Sequence, residues 1–184
     1  MELYAAAPAE AANAGTRALV ARAQNGDADA FAALIEEHYD RIFRTAWKWC
    51  GNRTDAEDVA QDVCVKLGSA IAGFDGRSAF SSWVYRITLN AVRDMQRAGR
   101  RRGQYADAYA EVTPEDQPAE QEEAATRSQL WAAVRALPEK QRDAVLLVYA
   151  EELSHAAAAE IMGIREGTVS WHVHEARKTL RGLL

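Results

Sequence analysis

The chain has only two cysteines and four prolines among its 184 residues. Cys50 and Cys64 lie inside helical apolar patterns, outside any CxxC arrangement and away from a ligand histidine, so they read as buried, reduced thiols, with redox sensing the lesser alternative. His172 and His174 are two apart, which on a helix points them in different directions and argues against a metal pair. There is no phosphate-binding glycine loop, no metal-ligand spacing and no nucleophile–base pair, which leaves an enzyme reading without support and implies no cofactor and no small-molecule substrate. No apolar run approaches the ~20 residues that span a bilayer, and no signal-peptide pattern opens the chain. The expectation is a cytoplasmic protein without direct membrane insertion.

What is present is helical. The segment Leu153–Leu180, LSHAAAAEIMGIREGTVSWHVHEARKTL, reads as two helices about a tight turn, the helix-turn-helix pattern that sets a second helix into the major groove. Ser154 is suited to cap the first helix and Gly163 to end it. Val169, Val173, Ala176 and Leu180 repeat at helical spacing and face a core, while Trp171, His174 and Lys178 take the opposite face, flanked by Ser170, Glu175 and Arg181.

The net charge of −5 is unusual for a free-standing DNA binder, but it is unevenly placed. Arg93–Arg102 holds five arginines and one aspartate, whereas residues 103–123 hold seven acids, no Lys or Arg, Pro114 and Pro118. That second stretch has no apolar periodicity and reads as a disordered acidic linker between two helical domains. The expected fold is all-α: a loose tail over 1–15, an N-terminal helical bundle over 16–102, the flexible linker over 103–123 and a helix-turn-helix domain over 124–184. A basic cluster beside an acidic tether suits a protein that touches nucleic acid within a larger assembly.

In the N-terminal domain, Phe31, Leu34, Ile35, Ile42, Phe43, Ala46 and Cys50 mark one helix that Gly51 and Asn52 break. Thr54 to Glu57 then reads as a capping box with Thr54 as N-cap. Val59, Val63, Leu67 and Ile71 form the buried stripe of the helix it opens. Asp55, Asp58 and Asp62 share another face, with Gln61 and Lys66 near, and this is either a solvated acidic face or a docking surface for a basic partner helix.

The loop FDGRSAF, Phe74–Phe80, precedes a helix whose apolar stripe is Phe80, Val84, Ile87, Ala91 and Met95. Arg86, Asn90, Arg93 and Arg97 fall at i, i+4, i+7 and i+11 with Trp83 at their border. The stripe combines donors for phosphates and base edges with an aromatic able to support an unstacked base. The alternative makes Trp83 a core residue and the arginines solvating groups.

Four segments in this order, AEDVAQDVCVKL (Ala56–Leu67), FSSWVYRITLNAVRDMQR (Phe80–Arg97), ALPEKQRDAVLLVYAEELS (Ala136–Ser154) and the helix-turn-helix, resemble the bacterial RNA polymerase sigma factors of the extracytoplasmic-function (ECF) group, in the sigma-70 family. The resemblance runs from about Asp27 to Leu184. It implies a factor that binds core RNA polymerase and directs it to particular promoters, carries no catalytic residues, and is held inactive by an anti-sigma factor. It assigns Asp55, Asp58, Gln61, Asp62 and Lys66 to core-polymerase docking. It assigns Phe74, Arg77, Phe80, Trp83, Arg86, Asn90, Arg93 and Arg97 to melting and reading the minus-ten element. It assigns Arg165, Thr168, Ser170, Trp171, His172, His174, Arg177 and Lys178 to the minus-thirty-five element of promoter DNA. In the family the linker runs through the polymerase cleft, where its acidity suits mimicry of nucleic acid.

The recognition helix departs from the family's usual TVKSRLHRAR, reading TVSWHVHEAR: Ser170 replaces Lys, His172 replaces Arg and Glu175 replaces Arg. Three cations are lost, one of them to an anion, which weakens phosphate contact. Ala158 stands where a bulky apolar residue is usual, which predicts thin packing. Trp171 would contact thymine methyls or anchor a protein, DNA being favoured. The altered helix motivates an alternative function, a sigma-like decoy that sequesters an anti-sigma factor without initiating transcription. The Arg86–Arg97 face argues against it.

Overall fold

The computed structural model describes residues 7–101 and 121–182, with side chains described over 14–99 and 129–182. Every regular element among them is helical: α1 (Ala7–Gln24), α2 (Ala28–Cys50), α3 (Arg53–Ala70) with a 3-10 turn at Ile71–Gly73, and α4 (Phe80–Arg101). Beyond the linker come α5 (Gln121–Ala136), α6 (Glu139–Val145) with a π turn at Leu146–Ala150, α7 (His155–Met162) and α8 (Glu166–Arg181). The chain divides into two units, residues 1–95 and 96–184, and the division falls inside α4.

Where the sequence predicts a loose tail to residue 15, α1 already begins at Ala7. Its first turns are rich in alanine, the residue with the smallest cost of entering a helix, so few core contacts are needed there. Residues 1–6 lie outside the described residues, as do 102–120 and with them most of the acidic linker; its last three positions, 121–123, open α5.

The caps are specific. The Asp27 carboxylate accepts from Ala30 N–H at 3.0 Å and opens α2; that bond, with the Arg22 guanidinium at 2.7 Å, holds the Asp27 carboxyl below its usual range. Gly51, at φ +81°, closes α2 in the left-handed conformation. The start of α3 corrects the sequence reading: Asn52, not Thr54, is the N-cap. Asn52 Oδ1 accepts from Asp55 N–H at 2.9 Å, and Asn52 Nδ2 donates to Asp55 Oδ2 at 2.9 Å. The reciprocal box is thus Asn52–Asp55, and Glu57 is left to pair with Arg53 at 2.7 Å, one turn along.

The core of the first unit is built from Leu34, Ile42, Ala46 and Trp49 of α2, Val59, Val63 and Leu67 of α3 with Ile71 beyond it, and Phe80, Val84, Leu89 and Val92 of α4. The stripe expected for α3 is buried at all four positions. In α4 the buried face is wider than the apolar pattern predicts: Ile87 and Met95 are half-buried, while Tyr85, Thr88 and Gln96 are buried. Thr88 meets the cost of burial by donating to Val84 O at 2.9 Å. Cys50 and Cys64 are free thiols, half-buried where the sequence implied full burial, and partial burial pushes the Cys64 thiol up.

In the second unit, Leu137, Leu146, Leu147, Ile161, Val169 and Val173 supply the core. Arg142 and Asp143 are buried within it, and Arg142 Nη2 donates to Gln96 Oε1 at 2.9 Å. Ser154 caps α7 by accepting from Ala157 N–H at 3.1 Å, and Gly163 ends it at φ +66°, both as the sequence predicts. Ala158 is fully buried in α7, which packs on α8.

Candidate nucleic-acid interface

Three surfaces carry the residues that the sequence singles out. On α3, Asp58, Gln61 and Asp62 are exposed at i, i+3 and i+4 and form one outward patch. Asp55 does not join them: it is half-buried and spent on the Asn52 cap. Lys66 Nζ lies 2.8 Å from Asp62 and 3.8 Å from Asp94 of α4, so it partly neutralises the patch and braces α3 against α4.

The second surface is the Phe74–Phe80 loop with the start of α4. Phe74, Phe80 and Trp83 form an aromatic cluster, with ring centroids 5.0 Å apart for Phe74–Trp83, 5.4 Å for Phe74–Phe80 and 5.6 Å for Phe80–Trp83. Phe80 is buried and stacks at 5.3 Å on the buried His38 of α2, so it is a foundation rather than a contact surface. This corrects its assignment among the DNA-contacting residues. Phe74 and Trp83 are half-buried, each keeping part of its ring open.

Gly76 turns the loop at φ +70°, and the Asp75 carboxylate accepts from both Arg77 N–H, at 3.1 Å, and the Arg77 guanidinium. That guanidinium holds the Asp75 carboxyl low, while Asp75 raises Arg77 in turn; both side chains face solvent. Arg86 and Asn90 are exposed along α4, and Arg93 is half-buried within 3.3 Å of Asn90 Oδ1. Arg97 lies past the division, in the second unit, and pairs with Glu139 at 3.4 Å.

The third surface is α8. Arg165, Ser170, Trp171, His174, Arg177 and Lys178 are exposed and Thr168 is half-buried. Trp171 is 56% exposed, too much for a core residue of its size. His172 turns the other way. It is buried, its Nδ1 has no hydrogen-bond partner, and burial and then the Lys140 charge hold its imidazole below its ordinary value against an opposing pull from Asp143. It therefore packs beneath the helix and is withdrawn from the DNA-reading set. Ser170 Oγ is engaged by His155 Nδ1 at 2.7 Å, which ties α8 to the start of α7.

Sequence reading misses two residues at the second surface. His38 is polar in an apolar stripe and so looks solvent-facing, yet it is buried against Phe80, and burial holds its imidazole below the ordinary value. Gln24, at the end of α1, donates to the carbonyls of Ile71 and Phe74, and no motif in the sequence marks it.

Comparisons with known proteins match two separate stretches of the chain. The Sigma-70 region 2 family model matches residues 34–102, and the Sigma-70, region 4 model matches residues 127–180. The two matches in this order define the class, a sigma-70-type transcription factor. The ECF RNA polymerase sigma factor SigW of Bacillus subtilis (strain 168) is 32% identical over 177 residues, covering 88% of this chain and 92% of SigW. Among solved structures, CnrH in complex with the cytosolic domain of CnrY aligns with a TM-score of 0.67 at 27% identity, covering 92% of this chain and 96% of CnrH. The sigma factor RpoE, in complex with the anti-sigma factor NepR from Bartonella quintana, aligns with a TM-score of 0.64 at 25% identity, covering 83% of this chain and 95% of RpoE.

The chain belongs to the ECF RNA polymerase sigma factors. It directs promoter-specific transcription initiation by core RNA polymerase. Among the described residues no helix is long and apolar enough to cross a membrane, and no group of three or more His, Cys, Asp or Glu is placed to hold a metal ion.

Proposed function

We propose that the three surfaces divide the work of initiation. The exposed Asp58, Gln61 and Asp62 patch on α3 docks on a basic surface of the core enzyme. The Phe74–Phe80 loop, with Trp83, Arg86, Asn90 and Arg93, opens and reads the minus-ten element as single strand. The outward face of α8, with Arg165, Trp171, His174, Arg177 and Lys178, reads the minus-thirty-five element as duplex. The factor works in the cytoplasm and performs no chemistry of its own; the polymerase makes the phosphodiester bonds.

Magnitudes favour this division. Extruding a base from a duplex costs about a few kcal/mol, and stacking it on an aromatic ring returns roughly 1–3 kcal/mol. A half-open ring such as Trp83, edged by Arg86 and Asn90 to hold phosphate and base edge, offsets most of that cost without help from net positive charge. The recognition helix is thinner in cations than the family's usual pattern, so duplex affinity is weak until docking on core raises the effective concentration of promoter. The same surfaces are the ones an anti-sigma factor would mask. Complexes of CnrH with the CnrY cytosolic domain and of RpoE with the anti-sigma factor NepR support a regulator of this kind for this chain too.

The observation that carries the reading is the aromatic cluster, whose buried member, Phe80, braces Phe74 and Trp83 beside exposed Arg77 and Arg86. The test is in-vitro transcription by purified core RNA polymerase on a pooled promoter library, with and without the protein. Start-site-specific transcripts are expected, dependent on Trp83 and Arg86. Their absence, with a core enzyme competent for another factor, overturns the reading in favour of the decoy.

A further inference from the structure

Helix α1 lies ahead of the region 2 match, which begins at residue 34, yet its last residue reaches the loop at the minus-ten surface. Gln24 Nε2 donates to Ile71 O at 3.0 Å and to Phe74 O at 2.8 Å. Both partners are carbonyls, so the amide must present its NH2 group, and its two hydrogens are both used. Phe74 N–H already closes the 3-10 turn by donating to Ile71 O at 3.1 Å. Gln24 therefore pins the two carbonyls at the ends of a turn that the backbone itself has closed.

This pinning has a direct consequence for the aromatic cluster. The Phe74 carbonyl is fixed to α1 on one side, and the Phe74 ring meets Trp83 and Phe80 on the other. The loop that follows contains Gly76 and is held otherwise by the local Asp75–Arg77 bonds. Between α1 and this loop lies a cavity of ≈ 410 Å³, walled by Arg17, Val20 and Gln24 on the helix side and by Asp75, Arg77 and Phe80 on the loop side. The helix thus sets both the entry point of the loop and one wall of the space beneath it.

We propose that Gln24 is a positioning residue for minus-ten recognition, holding the loop in the shape that receives an unstacked base of the single strand. The inference rests on the minus-ten reading of the loop and α4. Because the role is hydrogen-bond donation to two carbonyls, it is specific about chemistry: a lysine ammonium can replace it and a glutamate cannot.

The test uses the full chain with core RNA polymerase and a promoter recovered from the library, carrying 2-aminopurine in the non-template strand of the minus-ten element. Its fluorescence reports unstacking. Gln24→Ala and Gln24→Glu are expected to lower the open fraction by about tenfold, the effect of one to two net hydrogen bonds on an equilibrium. Gln24→Lys is expected to stay within about threefold of the wild type on the same scale. Discrimination against a promoter with one substituted minus-ten base should fall with the first two variants, while affinity for core stays unchanged.

Equal behaviour of the Glu and Lys variants, unchanged opening in Gln24→Ala, or a parallel loss of core affinity would each overturn the proposal, the last by making Gln24 a general fold residue. Trp83→Ala and Arg86→Ala separate the two levels. If these also open the promoter normally, the minus-ten reading itself has failed; if they are defective while the Gln24 variants are not, only the positioning role has.

Discussion

Reversing Asp58 and Asp62 to lysine together should abolish core binding while leaving the first unit folded. Both side chains are exposed, and Asp62 is half-open to solvent in its 2.8 Å pair with Lys66. An exposed pair one turn apart on a helix contributes about 0.3–0.5 kcal/mol, and like charges at the same spacing cost a similar amount. The folding cost is therefore below about 1 kcal/mol, a drop in melting temperature of at most about 4–8 °C for a unit of this size. Binding responds on another scale, because like charges facing each other across an interface cost several kcal/mol, and each ~1.4 kcal/mol is tenfold in affinity. A loss of about 100-fold or more is expected. The assay pairs a thermal melt with fluorescence anisotropy of labelled protein titrated with core RNA polymerase. Affinity within about threefold of the wild type, with the fold intact, would refute the docking assignment.

Asn52→Ala should destabilise the first unit by about 1 kcal/mol in urea unfolding, and Thr54→Ala by much less; the reverse ranking would restore Thr54 as the cap. His172→Arg brings back the residue type usual in the family but sets a cation in a buried place beside Lys140, so a lower melting temperature without gain in promoter affinity is expected. A gain would show that position 172 faces DNA. His38 and His172 are both held below 6.5 by burial, so each binds fewer protons folded than unfolded. Stability is then present above pH 6.5 and falls as pH drops below it, and His38→Leu should flatten that slope for the first unit in melts between about pH 7 and 5. Arg177→Ala and Lys178→Ala should each weaken promoter binding and reduce its salt slope by about one; unchanged slopes in both would move α8 to a protein-binding role.

Much of this fold is legible in the sequence where a single local rule decides. The α3 stripe follows from spacing alone, and Ser154 and Gly163 follow from the chemistry of helix ends. The reading slips where two rules compete. Thr54–Glu57 and Asn52–Asp55 are both plausible capping pairs, and position relative to Gly51 selects the second. In α4 an apolar count passes over Tyr85, over Thr88, which donates to Val84 O, and over Gln96, which accepts from Arg142, and so misjudges the width of that face. His38 and His172 show the same limit: an imidazole is equally at home facing DNA or packed neutral beneath it, and only tertiary contacts separate the two. The surfaces were visible as patterns of charge and aromatic residues, but which member supports and which touches was not. Phe80 and Asp55 are supports; Trp83 and Asp58 remain open.

The buried alanines of the helix-turn-helix give this domain an uneven tolerance to change. Ala158 and Ala176 are completely enclosed and Ala159 nearly so. A methyl group has no rotamer to readjust, so a change at these positions is passed on to the surrounding backbone. Trimming has little left to remove there, whereas each added methylene must shift a helix or strain its neighbours. The exposed side chains of α8 are therefore free to vary at little cost to the fold. The enclosed alanines beneath them are not.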